Sequence, residues 1–167
     1  AIGWIMVKSG LVPEKYFVGH VELTTHFIAA LILLGYTLWF ACSLLPSMKQ
    51  KVINPRLKRM LSLLFFIFFF QLIYGGFMAG LKAAQTAPTW PDINGSMVPN
   101  GMQELSPWVS NLVNNNLLIH FIHRGLAYLL LAIVVIFYIR SGNIPVNQTF
   151  RRYRKALLFL ILLQVML

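Results

Sequence analysis

The stretch "NNNLLIHFIHRGLAYLLL", residues 114–131, places two histidines and an arginine at the start of a leucine-rich run. The run of apolar residues is long enough to form a transmembrane helix from about residue 115 to 139. An ionisable side chain inside a membrane span costs free energy, so such a residue usually has a function. This stretch therefore predicts both a membrane fold and the position of a site within it.

The composition of the whole chain also indicates a membrane protein. The 167 residues are 58% hydrophobic and 11% charged, with a mean hydropathy of +0.71, which is too apolar for a soluble domain of this size. Further apolar runs predict spans at about 21–46 and 57–81, and a fourth that opens near residue 154. We expect an all-α fold, a polytopic transmembrane helix bundle.

Basic residues are concentrated in two connections between the predicted helices. Ten of the fourteen Lys and Arg residues lie at 49–59 and 140–155, and all four acidic residues lie elsewhere. Because positively charged loops stay in the cytoplasm, we predict that residues 1–20 and 82–114 lie on the outer side of the membrane. Charge distributed in this way is a topology signal, and we expect no nucleic-acid partner.

Two histidines are predicted at similar depth below the outer surface. His26 lies about one helical turn into the first span and His123 about two turns into the third. A neutral imidazole is a good iron ligand, and facing helices can hold a haem through axial histidines. His26 and His123 are therefore candidate metal ligands. An interhelical hydrogen bond is the alternative role for each.

Three residues near these histidines are interpreted differently. Arg124 could pair with a carboxylate, such as a haem propionate, through its planar fork. His120 is three residues before His123, and neighbouring turns of one helix cannot supply both axial ligands of one iron, so at most one of these two histidines is an axial ligand. His20 precedes the first span near Glu22, and we expect it to be a solvated surface histidine.

Two further features belong to the candidate cofactor site. Gly76 and Gly80 form a G-x-x-x-G pair at the end of the second span, a spacing that lets a neighbouring helix or a flat ligand approach closely. With Gly75 beside them, these glycines could admit a flat macrocycle. The 82–114 segment is long for a loop and contains "TAPTWPDINGSMVPNG". We expect an ordered cap in which Trp90 closes the outer mouth of the site over haem propionates.

Four stretches of the chain point to a known family. They are "GWIMVKSGL", "VELTTHF", "GGFMAGLKAAQTAPTWPDINGSMVP" and "NNLLIHFIHRGLAYLLL", in this order. Together they resemble haem A synthase, the membrane enzyme that makes haem A for cytochrome oxidase. The resemblance implies an internal piece of an eight-helix protein with two similar four-helix halves. Residues 1–51 would hold the end of helix three, an outer loop and helix four, and residues 52–167 would hold helices five and six, the long outer loop and the start of helix seven.

The resemblance also implies a reaction and its cofactors. His26 would be a ligand in the N-terminal half, where the substrate haem O reacts, and His123 would bind haem b in the C-terminal half. The C8 methyl of haem O would become a formyl group through successive O₂-dependent hydroxylations. Electrons would come from an unidentified donor, and haem O synthase is a candidate partner. The protein would lie in the bacterial inner membrane, and its catalytic residues are unknown because the family's glutamate and partner histidines have no counterpart here.

Two other classes of protein stay open from the sequence. A cytochrome b-type electron carrier would ligate a single haem with both His26 and His123. A transporter would use His26, His120 and His123 as a proton relay without any haem. The paired broken helices of a transporter site are not evident in the sequence.

Overall fold

The computed structural model describes residues 1–10, 13, 17–45, 54–142 and 148–166. Within these residues every regular element is a helix, which confirms the all-α class. The six α-helices are α1 (Ile2–Gly10), α2 (His20–Ser43), α3 (Pro55–Leu81), α4 (Asn111–Asn114), α5 (Asn116–Gly142) and α6 (Gln148–Met166). Two short 3₁₀ helices, Ala83–Thr86 and Trp108–Ser110, lie between α3 and α4. The full set of eight helices in two halves stays a prediction.

Three of the described helices are long and apolar enough to cross a membrane. They are α2, α3 and α5, with 24, 27 and 27 residues, against the roughly 20 that a crossing requires. Large apolar side chains on these helices stay exposed, for example Phe65 at 67% and Leu33 at 64%. Such surfaces match lipid and would be unfavourable in water. The three spans agree closely with those predicted from the sequence.

The basic residues lie on helices more often than predicted. Arg56, Lys58 and Arg59 belong to the first turns of α3, and α6 begins at Gln148, well before residue 154. The residues of α6 that we had expected in a loop are Arg151, Arg152, Arg154 and Lys155. Lys and Arg are good helix formers, so a helix can continue past its apolar part. Lys49 and Lys51 lie outside the described residues.

The chain divides into two compact units. The first comprises Ala1–Leu45 and Leu72–Arg124, and the second comprises Pro46–Gln71 and Gly125–Leu167. All the candidate site residues belong to the first unit. The predicted division between residues 51 and 52 lies outside the described residues, and the assignment to N-terminal and C-terminal halves stays a prediction.

The second unit has an apolar core of its own. Its buried side chains come from α3 and α5, and side chains of α6 pack against them: Leu64, Ile67, Leu130, Ile133 and Val134, with Leu157, Leu158 and Ile161. Arg154 of α6 lies at the C-terminal end of α5, where its guanidinium is 3.4 Å from the carbonyl oxygen of Tyr138. A cation there complements the negative end of the helix dipole.

In the first unit, α2 and α3 approach each other through the G-x-x-x-G pair. A Cβ atom at Gly76 would lie 2.6 Å from Oγ1 of Thr24, and a Cβ atom at Gly80 would lie 2.6 Å from Cβ of His20. These distances leave no room for a side chain at either glycine. His20 and Thr24 are one turn apart on α2, as the two glycines are on α3. The contacts therefore support the helix-packing interpretation of the pair.

A buried asparagine joins the long loop to the start of α5. Oδ1 of Asn115 accepts hydrogen bonds from the backbone N–H groups of Leu117 and Leu118 at 3.0 and 3.1 Å, which is the geometry of a helix N-cap. Its Nδ2 donates to the carbonyl of Gly101 at 2.8 Å and to Oδ1 of Asn111 at 2.9 Å. Asn115 thus fixes the loop to the helix that carries His123.

We expect Asn115→Ala to lower the free energy of unfolding by about 2 kcal/mol, since it removes a helix cap and the bonds of a buried amide. The neighbouring Asn114 is a matched control, because its side chain is exposed and bonds only to Ser110 within the described contacts. Denaturant-induced unfolding in detergent, followed by circular dichroism, measures both variants. Equal losses for Asn114→Ala and Asn115→Ala would contradict the assignment.

Candidate functional site

His26 lies on α2, half-buried, with its ring against α1. A Cβ atom at Gly3 of α1 would be 3.2 Å from Cε1 of His26, 3.6 Å from Nδ1 and 3.9 Å from Nε2. The imidazole can approach α1 this closely because Gly3 has no side chain. Nε2 is the ring nitrogen farther from the glycine.

His123 lies on α5, also half-buried, with its ring against α3. A Cβ atom at Gly75 of α3 would be 3.4 Å from Cε1 of His123 and 4.0 Å from Nδ1. The same edge of the imidazole therefore faces a glycine at both histidines. Either ring nitrogen of a neutral histidine can bind a metal, and in both rings the atom nearest to the glycine is Cε1, which lies between the two nitrogens.

The two histidines lie on different sides of the contact between α2 and α3. On α2 that contact is made by His20 and Thr24. His26 is two residues beyond Thr24, which places it about 200° around the helix. Its side chain therefore points away from α3 and toward α1.

On α3, the glycines that contact α2 and the glycine that contacts His123 also face different directions. Gly76 and Gly80 meet α2, whereas Gly75 is about 100° around the helix from Gly76. His123 therefore packs on a face of α3 that α2 does not occupy. A single haem held between His26 and His123 would have to cross the α2–α3 contact, so this geometry favours separate sites for the two histidines.

Arg124 connects α5 to the long loop. Its Nη1 donates to the carbonyl oxygen of Asp92 at 2.7 Å, and its Nη2 donates to the carbonyl oxygen of Thr89 at 2.6 Å. The planar fork of a guanidinium suits two acceptors side by side. These partners are backbone carbonyls, where the sequence suggested a carboxylate. A guanidinium has five N–H donors, so the two loop bonds do not use all of them. Pairing of Arg124 with a haem propionate stays a prediction.

The part of the loop that Arg124 binds is a tight turn. Ile93 and Ser96 exchange backbone hydrogen bonds of 2.8 and 3.2 Å. Between them, Asn94 and Gly95 have φ angles of +54° and +84°, the left-handed region that an Asn-Gly pair adopts in such turns. The hydroxyl of Thr89 accepts a hydrogen bond from the backbone N–H of Asn94 at 2.7 Å. The loop is thus ordered where it meets α5.

The carboxyl group of Asp92 is held in its charged form. A hydrogen bond with the Thr89 side chain lowers the pKa of Asp92 most, followed by one with the backbone N–H of Gly95, and the charge of Arg124 lowers it further. Hydrogen bonds that favour a carboxylate always act in this direction. The charged carboxyl group of Asp92 therefore favours the turn, in which it accepts a hydrogen bond from the backbone N–H of Gly95 at 3.2 Å.

The other predicted site residues occupy different surroundings. Gly76 is buried against Thr24 and has a role in helix packing. Its contact with a macrocycle stays a prediction. Trp90 is 69% exposed on the loop surface, and its role as a cover stays a prediction too. Sequence reasoning missed Gly3, and it predicted for Gly75 a contact with a macrocycle, whereas the structure places Gly75 against His123. The signal for Gly3 was its similarity to Gly75, since "GWIM" (3–6) and "GGFM" (75–78) each place a glycine three residues before a methionine.

Two histidines without an assigned role are less exposed than a surface residue would be. His120 is only 4% exposed, and its Nδ1 has no hydrogen-bond partner among the described residues. His20 was expected in solvent and is half-buried, with its ring edge-on to Phe77 at 5.7 Å. That expectation was wrong because α2 begins at His20 and packs there against Gly80.

The apolar spans and the histidines within them define a polytopic α-helical membrane protein. Residues 1–167 match the cytochrome oxidase assembly protein family over the whole chain. The chain belongs to that family, and it is an integral membrane protein.

Curated relatives with the name heme A synthase confirm the resemblance found in the sequence. The protein from Rhizobium rhizogenes is 32% identical over 167 residues, which cover 100% of this chain and 45% of the relative. The protein from Rhodopseudomonas palustris is 37% identical over 139 residues, covering 81% of this chain and 38% of the relative. The chain thus spans less than half the length of these relatives. No solved structure matches it.

Replacing Arg124 by lysine should loosen the turn, because one ammonium group cannot donate to two carbonyls in the geometry of the fork. We expect amide hydrogen exchange at residues 93–96 to become at least about tenfold faster, as for a loss of roughly 1.4 kcal/mol in local stability. Arg140→Lys is the control, since Arg140 is exposed at the far end of α5. Unchanged exchange in Arg124→Lys would show that the two hydrogen bonds do not hold the turn.

The turn should also depend on pH. Because the pKa of Asp92 is lower in the folded state, its charged form stabilises the turn above the ordinary pKa of about 3.9, and this is lost as pH falls through the lowered value. Thr89→Val should raise the pKa of Asp92, whereas Thr89→Ser keeps the hydroxyl. Fluorescence across the acid range reports the midpoint when Trp90 is the single tryptophan, with the other three replaced by phenylalanine. A midpoint that is the same in the valine and serine variants would refute the role of Thr89.

Proposed function

We propose that this chain is the part of a haem A synthase that supplies one axial ligand to each of two haem sites. His26 is the ligand for one haem and His123 the ligand for the other. The observation that carries this proposal is that the two rings lie on helix faces that do not take part in the α2–α3 contact, each against its own glycine. The relatives in Rhizobium rhizogenes and Rhodopseudomonas palustris, which have the name heme A synthase, support the same function.

The residues present are suited to haem. Both imidazoles contact a glycine of the neighbouring helix through Cε1, and the nitrogen of a neutral imidazole is a good iron ligand. The surrounding spans are apolar, so they exclude water from a flat hydrophobic macrocycle. Arg124 brings a positive charge next to His123, and N–H groups beyond its two loop bonds are suited to a propionate.

The reaction we assign is the oxidation of haem O to haem A. In this proposal His26 binds the substrate haem O, whose C8 methyl becomes a formyl group by successive O₂-dependent hydroxylations. His123 binds haem b, which supplies one-electron chemistry when present. The chain's own residues orient both macrocycles through the two imidazoles, and Arg124 keeps the 82–114 loop next to the His123 site. The electron donor and any partnership with haem O synthase belong to the same proposal.

The orientation in the membrane is part of the proposal as well. The basic residues at 49–59 and 140–155 favour a cytoplasmic position for those segments. Residues 1–20 and 82–114 would then face the outer side of the bacterial inner membrane. The long loop that Arg124 binds would lie at the outer surface.

A cytochrome b-type electron carrier is the second candidate function. It requires His26 and His123 to reach one iron from two sides. The α2–α3 contact at Gly76 and Gly80 lies between the faces that carry the two rings. The geometry therefore favours the two-site enzyme over the one-haem carrier.

The test is the haem content of single-histidine variants of the full-length protein, expressed with a supply of haem O and purified in detergent. Extracted haems are identified by mass. We expect haem A in the wild type, loss of both haem b and haem A with retained haem O in His123→Ala, and loss of haem O and haem A with retained haem b in His26→Ala. His120→Gln is the matched control on α5 and should keep both haems.

Two results would overturn the proposal. If His26→Ala and His123→Ala each remove the same single haem, the two histidines share one iron and the protein is a cytochrome-type carrier. If the wild type contains no haem after supply of haem O, neither haem function holds.

A further inference from the structure

The two candidate ligands share a local arrangement that the proposed function does not require. His26 meets Gly3 of α1, and His123 meets Gly75 of α3. In each pair Cε1 is the ring atom nearest to where a Cβ would be, at 3.2 Å for Gly3 and 3.4 Å for Gly75, and Nδ1 is the next nearest. The same edge of the imidazole thus faces the same kind of backbone position twice.

The sequences around the two glycines are also similar. "GWIM" at 3–6 and "GGFM" at 75–78 have the glycine and the methionine at the same spacing. Each motif lies in a helix that precedes the helix with the histidine, α1 before α2 and α3 before α5. Two independent pairs therefore place an imidazole against a glycine of an earlier helix.

Space at these glycines limits where the imidazole ring can lie. A methyl group at Gly75 would just touch Cε1 of His123, whereas an atom one bond of about 1.5 Å further out would overlap the ring in any rotamer that points toward it. At Gly3 even a methyl group would be closer to Cε1 than most Cβ contacts in proteins. Any larger side chain would have to rotate or displace the imidazole, because packed interiors do not absorb such overlap.

We propose that Gly3 and Gly75 are positioning residues for His26 and His123. Each glycine leaves space for Cε1 of its imidazole and thereby limits the plane in which the ring and its nitrogens can lie. The inference rests on the proposed function, because a ring nitrogen of each histidine is the atom assigned to iron. Residues that orient a metal ligand without touching the metal commonly alter affinity by 10–100-fold.

The first test compares Gly75→Ala, Gly75→Ser and Gly75→Val in the full-length protein purified in detergent. We expect Gly75→Ala to keep wild-type haem b content and Gly75→Val to lose about tenfold or more. Gly75→Ser should keep the haem but shift the largest g value of its low-spin ferric signal, which depends on the orientation of the axial imidazole planes. A role in helix packing alone would leave this signal unchanged.

The matched control is Ala79→Val, since Ala79 lies on α3 one turn beyond Gly75 with its side chain exposed. It should keep both haem content and g values. Gly3→Ala is the second arm and should weaken haem binding at His26 more than Gly75→Ala does at His123, because its contact is tighter. If Gly75→Val does not fold, the signal of Gly75→Ser decides the question.

The outcomes separate this inference from the proposed function. Wild-type haem content and g values in both Gly75→Val and Gly75→Ser would overturn the positioning role while leaving haem binding intact. A wild-type protein without haem b at His123 would overturn the proposed function itself, and with it the inference. Equal loss of haem in Ala79→Val and Gly75→Val would show general damage to α3 and would also overturn the positioning role.

Discussion

The close approach of α2 to α3 is the constraint on which the rest of the first unit depends. It exists because Gly76 and Gly80 leave space for Thr24 and His20. In a membrane, where apolar side chains gain little by leaving lipid, such small-residue contacts are a main source of helix association. Because these two faces are in contact with each other, α1 and α5 can pack only against the remaining faces of the two helices. His26 then points toward α1, and Gly75 faces α5.

The loop between α3 and α5 is tied to this arrangement at two places near the same helix. Asn115 caps α5 and bonds back to the loop, and Arg124 binds the carbonyls of Thr89 and Asp92 about two turns further along. His123 lies between these two attachments in the sequence. The helix that presents the imidazole and the loop beside it are therefore parts of one hydrogen-bonded structure.

Much of the fold could be predicted from the sequence because lipid imposes a simple rule of length and hydrophobicity. Spans α2, α3 and α5 followed from that rule. The helical position of the basic residues of α6 could not be predicted from that rule, because hydropathy does not indicate where a helix continues into a polar segment. Of the site, His26, His123 and Arg124 stood out as costly polar groups in apolar surroundings. The contacts of Gly3, Gly75 and His20 could not be predicted in this way, because they depend on which helix faces meet.

The partners of Arg124 have a consequence for how the chain can change over evolutionary time. The guanidinium binds main-chain oxygens at positions 89 and 92, and every amino acid offers a main-chain oxygen. The attachment of the loop therefore does not depend on the identity of neighbouring side chains such as Trp90, as long as the turn keeps its shape. A side chain on the exposed surface of the loop can therefore be replaced without removing the two acceptors that Arg124 binds.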